Sequence, residues 1–335
     1  VPVLAISARR SHAVSLRDVA NYDRRHATPY GRRWWASALV VLAYVVAQIV
    51  LVSAYLPIAG FADEVERRVF AGFCILTALY TGLLGALLWR GVSRRVRIEA
   101  LASSLGLAYS DRQPLAGFAG TALQRPGRQW ASDVVEPGLA PAVPDEFAAG
   151  TFAPGTGLTM RRAGFVQIRL DRDLPHIVLE NRRSRVLRTT GQRFRALQRL
   201  SLEGDFDRTF SLYCPEGYER DALYIMTPDM MALLLDAARD CEIEIVDGWL
   251  VAYVGHAWRL WRPERFDALV ALVAALGARA RRRSHNYRDE RMPRGSGLVG
   301  ARGRRLRLRP SLGSILSTSA SMVLGVYGIV SWLTV

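Results

Sequence analysis

The stretch Leu202–Asp236 reads LEGDFDRTFSLYCPEGYERDALYIMTPDMMALLLD, and its reading decides what kind of domain the chain carries. It crowds Glu203, Asp205, Asp207, Cys214, Glu216 and Glu219 into a short window, which raises the question of a catalytic island. The pattern beneath the acids is structural. Phe206–Cys214 is rich in β-formers and predicts a strand, with Leu200–Glu203 another before it. Thr227-Pro228-Asp229 predicts a helix start. Thr caps, Pro suits the first helical position, and Asp meets the positive end of the dipole. Met231, Leu234, Leu235 and Ala238 form the expected apolar face of that helix. Phe206, Phe210, Leu212, Leu223, Tyr224, Ile225, Met230 and Leu234 then supply a strand–turn–helix core.

The same texture extends outward. Upstream, Phe147–Phe152, Gly164–Leu170 and His176–Glu180 cluster β-formers between turn signals. Downstream, Glu242–Val246 and Trp249–Val254 flank Asp247-Gly248, a strong hairpin dipeptide. Pro263–Arg283 is a long amphipathic helix with Phe266, Leu269, Val270, Val273 and Leu276 as its stripe. Val96–Leu107 predicts a helix ending near Gly106. Asp111–Pro144, rich in Pro, Gly and Ala, reads as an irregular connection with a short strand. Strands followed by helices, joined by short hairpins, predict an α+β domain with an antiparallel sheet and a long C-terminal amphipathic helix.

Three uncharged runs frame this domain. Trp34–Leu56, Val69–Trp89 and Leu312–Val335 are each long enough to cross ~30 Å of hydrocarbon as a helix. Arginines crowd residues 9–33, 90–97 and 302–309, whereas Asp63, Glu64 and Glu66 outnumber Arg67 and Arg68 between the first two runs. The positive-inside rule places the N-terminus and the central domain in the cytoplasm and the C-terminus outside. The expected organisation is a basic tail (1–33), spans at 34–56 and 69–89 around an external loop (57–68), a cytosolic domain (90–285), a basic flexible linker (286–311) and a span at 312–335. The runs lack ionisable residues, which argues against a transporter or channel. Gln48 is the strongly polar exception, expected as helix–helix glue. Ala78, Gly82 and Ala86, and likewise Ser317, Ser321 and Gly325, are spaced for close packing, either of the second span on the third or in a homo-oligomer.

The formal charge is +15, and all 45 basic residues are Arg. Residues 98–300 hold 27 Arg against 25 Asp and Glu, so the excess flanks the apolar runs. A nucleic-acid binder would carry it on the folded domain, and nucleic acid is therefore set aside as a partner. Cys74, Cys214 and Cys241 show no metal-ligand spacing. DFDRTFSLYCPEGYERDALYIMTPDMMALLLD, the acidic strand after it, the DGWLVAYV hairpin and the preceding LPHIVLENR resemble a family of uncharacterised bacterial membrane proteins of actinobacterial type with a cytosolic domain of unknown function. The resemblance covers about residues 90–285 and is clearest over 174–254. It implies membrane location and transfers no catalytic residue, metal or cofactor.

Four constellations carry candidate chemistry. Glu203, Asp205 and Asp207 alternate, so a strand would present their carboxylates on one face as oxygen ligands for a divalent cation. The simpler reading is a solvated face neutralised by arginines. Arg182, Arg183, Arg185, Arg188, Arg193, Arg195 and Arg199 run without an intervening acid, as a patch for phosphate or anionic lipid headgroups would. Arg279 and Arg281–Arg283 are expected to extend it. Cys214 with His176 has the residue types of a nucleophile and base, without a local signature. Gly295, Gly297 and Gly300 match a dinucleotide fingerprint by spacing, yet no strand precedes them. The leading expectation is a binding or scaffold domain at the inner leaflet, for a protein partner or anionic lipid, with no cofactor. The rival is a membrane-bound enzyme using the acidic strand with His176 or Cys214.

Overall fold

No proline interrupts the chain from the second expected span into the basic segment beyond it, and the result is one helix, Glu64–Ser104. The computed structural model describes residues 14–25, 39, 42–50, 64–124, 129–138, 146–154, 162–184, 186–202, 204–293 and 298–308. Among these, one helix is long and apolar enough to cross a membrane, over Phe70–Ser104. The three expected spans therefore reduce to one among the described residues. Of the first, only residue 39 and residues 42–50 are described, and they are helical. Residues 312–335 lie outside the described set.

The chain divides into two compact units. The first comprises residues 1–113, 132–142 and 259–267. Here the long helix changes character after Trp89. Phe73, Ile75, Leu76, Leu79, Leu83 and Leu87 are exposed, whereas Ile98 and Ala102 are buried. The helix Leu16–Arg25 lies against the long helix and buries Val19 and Tyr22. Ser15 caps it, accepting from the Asp18 N–H (3.3 Å) and donating its own N–H and hydroxyl to the Asp18 carboxylate (2.9 and 2.7 Å). Arg25 reaches Glu99 at 3.2 Å and Arg95 reaches Asp111 at 3.2 Å. Two strands, β1 (Leu107–Pro114) and β2 (Trp130–Pro137), occupy the region expected to be largely irregular. Their polar side chains pair across, Tyr109 to Asp133 and Gln113 to Glu136, so hydrogen bonding supports what hydrophobic pattern did not reveal.

The second unit holds β3 (Phe147–Phe152), β4 (Ala163–Arg169), β5 (Ile177–Asn181), β6 (Arg199–Leu200), β7 (Phe210–Tyr213), β8 (Cys241–Val246) and β9 (Trp249–Val254). They run in the order β3-β4-β9-β8-β5-β7-β6, and the pairings in register are antiparallel. Asp247 and Gly248 both take positive φ (49° and 71°), which makes the two-residue β8–β9 turn with the twist a hairpin needs. Strands β3, β5 and β8 are buried along their whole length, so both faces are covered.

Four local expectations are corrected. Phe206–Thr209 is a short helix before β7, because residues 204–209 turn rather than extend. The helix Pro228–Ala237 buries Met230, Leu233 and Leu234, a face rotated from the expected one. Thr227 stands at its N-cap, but its hydroxyl accepts from Arg283 (3.3 Å) rather than from the helix. Leu223 and Tyr224, expected in the core, are exposed.

Candidate functional site

The two faces of the second unit's sheet differ in chemistry. Register places Ile168, Leu250, Ile245 and Ile177 on one face, which is apolar. The other carries Gln167, Glu242, Glu244, His176 and Glu180, all buried. The covering segments on that side are loops and the first turn of the short helix Val186–Thr189, and their backbone N–H groups need acceptors. Ala119 N–H donates to Gln167 (2.8 Å), Thr121 N–H to Glu244 (3.0 Å) and Leu187 N–H to Glu242 (3.0 Å). The buried acids thus replace a ladder that loops cannot form.

Glu244 is the centre of this layer. His176 Nε2 donates to its Oε1 at 2.9 Å, and the Tyr253 hydroxyl to its Oε2 at 2.6 Å. Burial alone would raise its pKa, but the bonds from His176, Tyr253 and Thr121 outweigh burial and hold the carboxyl below its ordinary value. His176 Nδ1 accepts the Leu306 N–H at 2.9 Å, which fixes the proton on Nε2. Its backbone N–H donates to Gly303 O at 2.8 Å. Glu242 is bound less completely. Burial, aided by Glu180, pushes its carboxyl up to about 7 against the Leu187 and Ser184 contacts.

The expected catalytic residues do not converge. Both ring nitrogens of His176 are committed, and a general base needs one free for the substrate proton. Cys214 is buried, and burial pushes its thiol up to about 12, away from nucleophilic thiolate. Asp205 pairs with Arg208 at 2.7 Å, and Asp207 binds Ser201 and the Leu202 N–H. Glu203 lies outside the described residues. No group of three His, Cys, Asp or Glu with metal-binding geometry occurs among the described residues.

The arginine run is split by the sheet. Register sets Arg199 level with Tyr213 and Val178, while Asn181, next to Arg182 and Arg183, lies level with Phe210. Three residues of strand separate the two rows, about 10 Å. Arg188 pairs with Glu180, which also accepts from the Tyr213 hydroxyl. Arg283 lies over the Tyr224 ring and donates to the Thr227 hydroxyl. Arg185 is outside the described residues.

Residues 286–311, expected as a flexible linker, are held in place where described. Asp289 accepts from the Tyr218 hydroxyl, Gly300 N–H and Arg291 N–H at 2.9, 2.9 and 3.0 Å. Burial opposes that charge, yet these bonds keep the carboxyl below its ordinary pKa. Arg305 pairs with Asp247, and Leu308 forms an antiparallel bridge with Phe194. Gly300 belongs to this joint, and Gly295 and Gly297 lie outside the described residues.

In the first unit, Ala78 and Gly82 line a groove of about 490 Å³ with Val45, Gln48, Ile49 and Thr77. Ala86 is exposed on the same helix, while Ser317, Ser321 and Gly325 lie outside the described residues.

Comparison with known protein families and with curated proteins finds no match. Among solved structures, the mycobacterial trehalose monomycolate transport factor A, TtfA, is similar over 56% of this chain and 94% of its own, at 14% identity and a TM-score of 0.38. A likeness this slight carries no argument about fold or function.

Proposed function

We propose that the protein is an integral membrane protein that presents its α+β portion on the cytoplasmic side as a binding platform. The observation that carries this is the helix Glu64–Ser104. Its Phe70–Trp89 part exposes apolar side chains suited to lipid, and the next turns bury Ile98 and Ala102 beneath the Leu16–Arg25 helix. Arg90, Arg94, Arg95 and Arg97 mark the cytoplasmic end. A binding role rather than a catalytic one is supported by the commitment of His176, Cys214, Asp205 and Asp207 to structural partners. Membranes containing the full chain provide the test. The protein is expected to stay in the pellet through alkaline carbonate, and trypsin is expected to digest residues 105–308 in inverted vesicles only. Release by carbonate, or digestion from the outer side, would overturn the proposal.

A further inference from the structure

Among the described residues the sheet order ends at β6, so Arg199 lies on an edge strand, and the segment before it is bridged at Phe194 to Leu308. Leu197 is 84% exposed there, flanked by exposed Arg195 and Arg199, with exposed Arg193 two residues further back. An isolated leucine of this exposure is ordinary by itself. Its neighbours make the difference. The Phe194–Leu308 bridge brings a second basic segment, residues 302–308, beside the first. That segment adds exposed Arg307 and the partly exposed Leu308 and contains no acid. The nearby carboxylates are engaged, Glu180 by Arg188 and Tyr213, Asp207 by Ser201 and the Leu202 N–H, and Asp205 by Arg208.

Chain length supplies an independent constraint. Leu308 stands four residues before Leu312, the first residue of the uncharged run 312–335. Four residues reach at most about 14 Å. The edge bearing Phe194 and Leu308 is thus within about 14 Å of chain of an apolar run of membrane-spanning length. From this we infer that the β6 edge docks on anionic lipid, with Arg193, Arg195, Arg199 and Arg307 on the headgroups and Leu197 entering the interface. The proposal rests on the membrane-anchored reading above and names its partner.

The full chain is reconstituted in nanodiscs of phosphatidylcholine, alone or mixed with phosphatidylglycerol. An environment-sensitive fluorophore is placed on Leu197→Cys in a Cys74→Ala background, since Cys214 and Cys241 are buried. The side chain is exposed, so the substitution leaves folding intact. Expected are blue-shifted emission and quenching by spin-labelled lipid in the anionic discs, both weakened by salt. Each Arg→Ala change among the four arginines lowers the docked-to-lifted ratio about fivefold. Aqueous emission in both discs, equal quenching in both, or insensitivity to salt overturns the docking while leaving membrane anchoring in place. Failure of the chain to enter discs at all overturns both.

Discussion

Replacing Glu242 with Gln should make the protein's stability less dependent on pH, and the size of the effect follows from the site. Glu242 is fully buried on β8, where it receives the Leu187 N–H. Burial raises its pKa from 4.5 to about 7. The sign is that of an acid whose folded pKa is raised. Below 4.5 both states hold the proton and the group contributes nothing. Between 4.5 and 7 the unfolded chain releases the proton while the folded one keeps it, so stability falls as pH rises. Above 7 the folded protein carries a buried carboxylate, and the loss levels off at about 3 kcal/mol. Gln keeps the shape and an oxygen for Leu187 without the charge. Thermal melts of the detergent-solubilised chain, wild type against Glu242→Gln, would be followed by intrinsic fluorescence from pH 5 to 8.5. The variant's advantage should grow across that range by about 6–12 °C in Tm for a domain of about 200 residues. Parallel curves would show that Glu242 is solvated or otherwise compensated, and the account of the buried acid layer would fail.

Other outcomes follow from the same layer and from the C-terminal joint. His176→Ala leaves the Glu244 carboxylate buried without its Nε2 donor, and a loss of about 3 kcal/mol is expected in denaturant titrations. Adding Glu244→Gln to that variant should restore part of the loss, because the two residues act as one network. Asp289→Ala removes the acceptor of Tyr218, Gly300 and Arg291, and should raise the rate of tryptic cleavage after Arg302–Arg307 about ten- to hundredfold. Unchanged cleavage would mean that the segment is held elsewhere. Cys214 and Cys241, both pushed up to about 12 by burial, should resist maleimide at pH 8 until the protein is denatured. Rapid native labelling of either would contradict their burial.

Much of the second unit was legible because its signals are local. Asp247-Gly248 needs no tertiary context to demand a tight turn, and β9 runs over the residues its pattern predicts. Of the Phe266, Leu269, Val270, Val273 and Leu276 stripe, all but the half-buried Val270 are buried as the spacing requires. What failed depends on distant partners. CEIEIV, with Glu242 and Glu244 alternating, reads as a strand with one wet face. The face is dry because N–H groups from residues 121 and 187, far away in sequence, end on those carboxylates. The seven-arginine run reads as one patch, yet a strand's rise divides it. Glu203–Asp207 looks like a ladder of ligands only while it is taken as extended, and the chain turns there instead.

The C-terminal joint shows why sequence alone suggests a flexible linker and structure does not. Residues 298–308 contain four arginines and bury only Val299, Gly303 and Leu306. So little apolar area cannot hold a segment by hydrophobic burial. It must instead be held by hydrogen bonds, and the buried His176 and Asp289 and the exposed Asp247 supply them. Gly303 is required for that contact. A Cβ there would lie 2.5 Å from the Tyr218 ring and 2.6 Å from Val299, both packed and unable to retreat. Gly303→Ala should therefore loosen the segment as Asp289→Ala does, although it removes no hydrogen-bonding side chain. If Gly303→Ala left tryptic cleavage unchanged while Asp289→Ala raised it, close backbone approach would be irrelevant. The joint would then be a matter of the Asp289 carboxylate alone.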